Sequence, residues 1–191
     1  MSDKKQLWIL VGGNGAGKST FYEHYLKPLG LPFVNADVIA RNAYPDAPEA
    51  HSYEAARLAE GFRHELLLNG SSFCFETVYS HPSKVDFIAQ AKALGYEVIM
   101  VMIHVQSALV NQARIAIRVS EGGHAVPDKK VKERIPRMLK LVKASIPLCD
   151  QVRVYDNTSD EEPFVPVMYV KEGIVERHQN PLPDWALSLV S

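Results

Sequence analysis

Short apolar runs alternate along the chain with longer stretches of helical spacing. Residues 7–11 are continuously apolar, as a strand buried on both faces should be. Shorter runs at 31–35, 73–75, 98–103 and 152–155 predict four more strands. Helical patterns lie between them. One follows the first strand over 19–26. Ala55, Leu58, Ala59, Phe62 and Leu66 fall at i, i+3, i+4 spacing and predict a long helix before Gly70. A third spans 82–94, opened by Pro82 and closed by Gly95. Two more span 110–119 and 128–146, separated by Gly122-Gly123, and Pro136 is expected to kink or split the second. Strands separated by helices imply parallel pairing with right-handed crossovers. The end differs: 165–170 and 174–178, joined by Lys171-Glu172-Gly173, read as a β-hairpin extending a sheet edge. Pro181, Pro183 and Trp185 suggest a packed tail.

The expected fold is therefore α/β, a three-layer arrangement around a mostly parallel sheet. At 191 residues the chain is expected to form one domain over 1–191, with the paired helices at about 107–146 and the hairpin and tail at about 163–191. No leader peptide and no run of 18 apolar residues is visible, so a cytoplasmic protein away from membranes is expected. Cys74 and Cys149 stand in apolar surroundings at no metal-ligand spacing, as buried thiols in a reducing compartment do.

Residues 12–19, Gly12-Gly13-Asn14-Gly15-Ala16-Gly17-Lys18-Ser19, match G-x-x-x-x-G-K-[ST] and are followed by Thr20. They follow the first apolar strand and open a helix, the context in which this motif holds phosphate. Glycines let the backbone N–H groups turn toward an anion, and the helix N-terminus adds positive dipole. Lys18 can reach between β- and γ-phosphates, and the Ser19 hydroxyl can bind Mg²⁺. Nucleoside triphosphate binding follows, with ATP as the expected donor.

At this length no second domain for a motor cycle is expected. The fourth strand ends in His104, not in the Asp that holds Mg²⁺ in many such proteins. Carboxylates stand instead after the second and third strands, at Asp37 and Glu76, on the rim where a parallel sheet binds ligands. Asp37 suits a general base for a substrate hydroxyl, or a helix N-cap. Glu76, beside Thr77, suits a sugar hydroxyl or water-mediated support of Mg²⁺, or is a surface carboxylate of a loop.

The formal net charge is −1, but residues 111–143 hold nine Lys and Arg against three Asp and Glu, a local +6. Phosphoryl transfer asks mainly for positioning and charge stabilisation, and arginines supply both. Arg114 and Arg118 share a helix face at i, i+4, and Arg134 and Arg137 follow on the next helix. A helix–Gly-Gly–helix unit of this kind suits a lid closing over phosphates. A solvated helical face is the alternative, and it suits Lys129, Lys132, Lys140 and Lys143. Nucleic-acid binding is disfavoured: no aromatics interleave with the basic residues, and the remaining chain is acidic.

These motifs together resemble the zeta-toxin-like small-molecule kinases. The pattern is GGNGAGKST, NAD at 35–37, FET at 75–77, R-x-x-x-RVSEGGHAVP over 114–127, ERIPR at 133–137 and VYDN at 154–157. Zeta toxins phosphorylate a sugar hydroxyl of UDP-N-acetylglucosamine with ATP, and act in toxin–antitoxin pairs. The resemblance implies Lys18 on the phosphates, Asp37 as general base and Arg118 and Arg134 on the transferring phosphoryl. It also implies Glu76 in the sugar site, where Thr77, Arg114, Arg137 and His124 are expected to bind substrate, and Asn157 against adenine. An antitoxin protein is the implied partner. The chain departs from the pattern at Val78, where a second Thr is common, at Glu133, where a second Arg is common, and at Pro136. Kinases of other hydroxyl compounds, such as a nucleoside or an antibiotic, and a non-catalytic ATP-binding regulator are the competing readings.

Overall fold

A computed structural model of the chain describes residues 4–120 and 127–191. Seven strands form one sheet in the order β2-β3-β1-β4-β5-β6-β7. β1 (Gln6–Gly12), β2 (Phe33–Val34), β3 (Phe73–Thr77), β4 (Glu97–His104) and β5 (Gln151–Asp156) run parallel. β6 (Val165–Lys171) and β7 (Ile174–Arg177) add antiparallel at one edge, as the hairpin pattern predicts. The turn between them is two residues long, with φ of 51° at Glu172 and 79° at Gly173. Left-handed backbone at both positions is what a type I′ hairpin turn requires.

The helices are α1 (Lys18–Phe21), α2 (Ala36–Ala43), α3 (Ser52–Leu68), α4 (Ser83–Ala93), α5 (Ala108–Ser120), α6 (Asp128–Ser145) and α7 (Asp184–Val190). A π-helical turn, Tyr22–Leu26, and a 3₁₀ turn, Lys27–Leu29, continue α1, so the helical pattern over 19–26 is real but not uniform. The strand predicted at 31–35 shortens to two residues, because Asn35 turns the chain into α2.

Alternation along β1 divides the core into two layers around the sheet. Leu7, Ile9 and Val11 pack with Ala59, Leu67, Phe87 and Met138 on one face. Trp8 and Leu10 pack with Ala16, Phe21 and Leu26 on the other. Each such fully buried large side chain stabilises the fold by about 1.5–3 kcal/mol relative to exposure. Among the described residues no helix is long and apolar enough to cross a membrane.

Two expectations change. α6 is a single helix through Pro136, not split there. Pro136 is exposed, so the carbonyl its missing N–H leaves unpaired lies on the wet side of the helix, where water serves it. On α3 the buried positions are Ala55, Ala59, Arg63 and Leu67, while Leu58 and Phe62 are 42% and 47% exposed. The i, i+4 row of small residues faces inward, and an arginine enters where the apolar pattern predicts none.

The strand order reverses at β1. From it the chain leads to β2 and β3 on one side and to β4 on the other. Ligands of open parallel sheets bind in the crevice at such a reversal, beyond the carboxyl ends of the strands.

Candidate active site

The loop after β1 fills that crevice. Gly15 and Gly17 have φ of 77° and 94°, a backbone that residues with a Cβ rarely adopt. Both also lie against neighbours: a Cβ on Gly15 would stand 2.6 Å from the Asn111 carbonyl oxygen, and one on Gly17 would stand 2.4 Å from Asn157 Nδ2. Asn111 belongs to α5 and Ile135, 3.7 Å from the Cβ position of Gly13, to α6. These two helices therefore sit directly over the loop, with Gly12, Gly13 and Ala16 buried beneath.

Lys18 is 6% exposed and donates to the Gly13 carbonyl at 3.0 Å. Its ammonium also lies 3.6 Å from Glu76 Oε1. Ser19 Oγ donates to Glu76 Oε2 at 3.0 Å, and Asn35 Nδ2 donates to the same oxygen at 2.9 Å. Glu76 is thus no surface carboxylate; it sits at the centre of a network joining the loop, β2 and β3. Asn35 also caps α2, its Oδ1 accepting from the Asp37 and Val38 N–H groups. With the cap supplied by Asn35, the Asp37 side chain in the first turn is exposed to the cleft. The N-cap alternative for Asp37 is thereby removed.

The cleft has a volume of about 630 Å³. Its walls include Asn14, Gly15 and Lys18 of the loop, Asp37 of α2, and Glu76 and Thr77 of β3. Arg134 reaches it from α6 and donates to Asn14 Oδ1 at 3.3 Å. Thr77 Oγ1 accepts from the Tyr79 N–H at 3.0 Å, which folds the chain after β3 around the cleft. Among the described residues no group of three His, Cys, Asp or Glu side chains is placed to hold a metal ion. The oxygens of Ser19 and Glu76 do fit the sparse protein share of a Mg²⁺ shell, which is otherwise completed by phosphate and water.

Several expected site residues lie elsewhere. Asn157 is 6% exposed beneath the loop, donating from Nδ2 to the Ala16 carbonyl at 2.9 Å and accepting at Oδ1 from the Phe164 N–H at 3.1 Å. With both polar atoms engaged, it braces the loop. Arg114 donates to the Asn157 carbonyl at 2.7 Å and pairs with Asp160, tying α5 to the segment after β5 and not to the cleft. Arg137 is exposed and folds back onto its own helix, bonding the Glu133 carbonyl at 3.0 Å and its carboxylate. Thr20 is exposed on α1, outside the cleft. His124 and the side chain of Arg118 lie outside the described residues. Lys129, Lys132, Lys140 and Lys143 are exposed, the solvated face expected of them.

The sequence pattern left two groups of the cleft unassigned, Asn35 and the pair Arg63 and Lys84. Asn35 carries an N-cap signature that was readable, since Asn precedes a short helical run. Arg63 and Lys84 line the cleft, and neither belongs to a motif. His104 at the end of β4 is buried, 4.3 Å from the Trp185 ring. Burial pulls its pKa down to about 4, against the weaker opposing field of Asp156, so the ring is neutral at pH 7. Cys74 is buried and Cys149 half-buried; both are unpaired, and burial pushes the Cys149 thiol up to about 12.

Comparison with known proteins agrees with this architecture. An uncharacterized protein of Haemophilus influenzae (strain Rd) is 30% identical over 138 residues, which cover 69% of this chain and 98% of that protein. The AvrRxo1-ORF1:-ORF2 complex with ATP contains a chain similar in fold, with a TM-score of 0.75 at 18% identity. All of this chain is covered, and it spans 64% of that chain's length. A structure of the PezAT chromosomal toxin–antitoxin system of Streptococcus pneumoniae gives a TM-score of 0.65 at 17% identity, covering 81% of this chain and 69% of that one. The family model described as AAA domain matches residues 7–141. With a phosphate loop at the reversal point of a mostly parallel sheet, and with that match over most of its length, the chain belongs to the AAA domain family and has a P-loop kinase-like fold.

Proposed function

We propose that the protein is an ATP- and Mg²⁺-dependent kinase that transfers the γ-phosphate to a hydroxyl of a small molecule, with a nucleotide-sugar such as UDP-N-acetylglucosamine as the favoured acceptor. The observation that carries it is the placement of Asp37: an uncapped, cleft-facing carboxylate on the same cavity as Lys18 and Arg134. In this reading the loop N–H groups and Lys18 hold the β- and γ-phosphates. Asp37 accepts the proton of the attacking hydroxyl as the new O–P bond forms, while the bond from the γ-phosphorus to the β–γ bridging oxygen breaks and ADP leaves. Arg134, already over the loop, stabilises charge on the equatorial oxygens, and Arg118 is its proposed companion from α5. Ser19 would hold Mg²⁺ together with phosphate oxygens, and the ion would neutralise charge on the β- and γ-phosphates. Glu76 and Thr77 would orient the acceptor. The resemblance to zeta toxins extends the reading to a cytoplasmic toxin held in check by an antitoxin protein.

The test is incubation with ATP and a panel of UDP-sugars, followed by mass spectrometry. A product one phosphate heavier is expected, and Asp37→Asn should reduce its rate by about 10²–10⁴-fold while ATP still binds. Turnover unchanged in Asp37→Asn, or no phosphorylated product from any hydroxyl compound, would overturn the reading. Growth arrest on expression, relieved by Asp37→Ala, is expected of the toxin role.

A further inference from the structure

The acceptor end of the cleft carries positive charge that the phosphate-transfer machinery does not use. Arg63, on the inward row of α3, is 7% exposed, and its Nε is buried without a hydrogen-bond partner. Its guanidinium lies 5.2 Å from the Phe75 ring centroid and 5.9 Å from that of Phe87. Stacking on aromatic faces holds the plane in place but satisfies none of its donors. Lys84 stands one turn before Phe87 on α4 and lines the same cleft.

The two cations press on each other. Burial lowers the pKa of both below the ordinary range, and the Arg63 charge lowers that of Lys84 further. The one acid whose field opposes this at both groups is Glu60, which is exposed on α3. Lys18 is matched by Glu76, and Arg134 bonds Asn14 of the loop, where a triphosphate would add its own charge. Arg63 and Lys84, with Glu60 as the acid acting on both, therefore leave a surplus positive charge on the cleft wall. A buried guanidinium with an unpaired N–H is costly, and an anion in the cleft would compensate its charge.

We infer that Arg63 and Lys84 form an oxyanion subsite, so that the hydroxyl acceptor is a compound bearing its own phosphate or carboxylate group. The inference rests on the kinase reading for the word acceptor, but the anion site itself does not. It separates acceptor classes that a bare hydroxyl does not: sugar phosphates, nucleotide-sugars and hydroxy acids fit, whereas neutral sugars, nucleosides and cationic antibiotics leave the two charges unpaired. Planar, forked Arg beside compact Lys is a combination that suits phosphate in particular.

Two measurements test it. The first compares steady-state turnover of matched acceptors with and without the anionic group: a sugar against its phosphate and its nucleotide derivative, and an alcohol against the corresponding hydroxy acid. The charged member of a pair is expected to show at least tenfold higher kcat/KM. Lys84→Met and Arg63→Met should each raise its KM tenfold or more, leave the KM for ATP within twofold, and erase the preference over the neutral member. Preference for phosphate over carboxylate, or the reverse, identifies the source of the oxyanion. Equal turnover of neutral and charged members, or an unchanged acceptor KM in Lys84→Met, would overturn the inference. Lys84 is only half-buried, so this variant serves even where Arg63→Met fails to fold.

The second measures binding of inorganic pyrophosphate to the protein saturated with ADP and Mg²⁺, by calorimetry, with no turnover required. Binding that weakens tenfold in Lys84→Met supports the subsite even if no acceptor is phosphorylated, an outcome that would sink the kinase reading alone. Absence of binding, or binding indifferent to both variants, overturns the subsite while leaving the kinase reading standing.

Discussion

Asn157 shows how a residue beneath a phosphate loop can act by holding the loop in place. Its amide links the Ala16 carbonyl in the phosphate loop to the Phe164 N–H near the start of β6. Asn157→Ala would orphan two buried backbone groups at about 1–3 kcal/mol each. A lower melting temperature and a higher Kd for ATP are expected, with an unchanged acceptor KM at saturating ATP. An altered base preference with normal stability would argue for a role at the base instead. His104 gives a pH signature. Its folded pKa is depressed from the ordinary 6.5 to about 4 by burial, so the unfolded chain binds the proton first. Its contribution is intact above about pH 6.5 and is lost as pH falls through that window, by up to about 3 kcal/mol in total. Urea denaturation at pH 7 and pH 5 should show the loss, and His104→Gln should flatten it.

Residue types with a local rule were legible in the sequence, and those defined by tertiary packing were not. Residues 12–19 carry their geometry in their letters, because glycine supplies the left-handed backbone at Gly15 and Gly17 that the turn demands. Asp37 and Glu76 follow strands, and parallel topology alone sends strand ends to one rim. Arg114 and Arg137 belong to the same pattern of helical arginine pairs as Arg134, yet of these three only Arg134 reaches the cleft, since helix rotation decides which side faces the loop. Arg63 was invisible for the same reason.

Among the elements, strands and helices were readable because each has its own period, and boundaries moved where a side chain recruited the backbone. Asn35 ends β2 early by capping α2. Pro136 fails to split α6 because its unpaired carbonyl neighbour faces water. The β6–β7 hairpin carries a local mismatch: Glu172 holds φ of 51° in a turn that favours Asn-Gly. Left-handed backbone costs an ordinary residue roughly 1 kcal/mol. Glu172→Asn is therefore expected to stabilise the protein by about 0.5–1 kcal/mol, read from the urea midpoint at constant m. Destabilisation would mean that the Glu172 side chain makes a compensating contact.

Over the whole molecule, the +6 of residues 111–143 divides into distinct roles. Arg134 faces the phosphate loop, Arg114 staples α5 to the segment after β5, and most lysines stay in water. The near-neutral total is a balance between this basic helical pair and an acidic remainder that includes Asp37 and Glu76. Charge for the chemistry is thus concentrated where the chain folds back over β1, and it could not be read from the sum.

The contact between Lys18 and Glu76 has a kinetic consequence. In the proposed kinase Lys18 and Ser19, which would hold phosphate and Mg²⁺, both contact Glu76, the carboxylate proposed to orient the acceptor. An acceptor arriving first meets a Glu76 already engaged with Lys18, Ser19 and Asn35. In the proposed reaction ATP arriving first would draw Lys18 and Ser19 away and release Glu76. Sequential addition with nucleotide leading is therefore expected. A dead-end ATP analogue should inhibit competitively against ATP and noncompetitively against acceptor, and a dead-end acceptor analogue should inhibit uncompetitively against ATP. Noncompetitive patterns in both directions would indicate random entry, and Glu76→Gln, which loosens the grip on Lys18, is expected to shift the enzyme toward them.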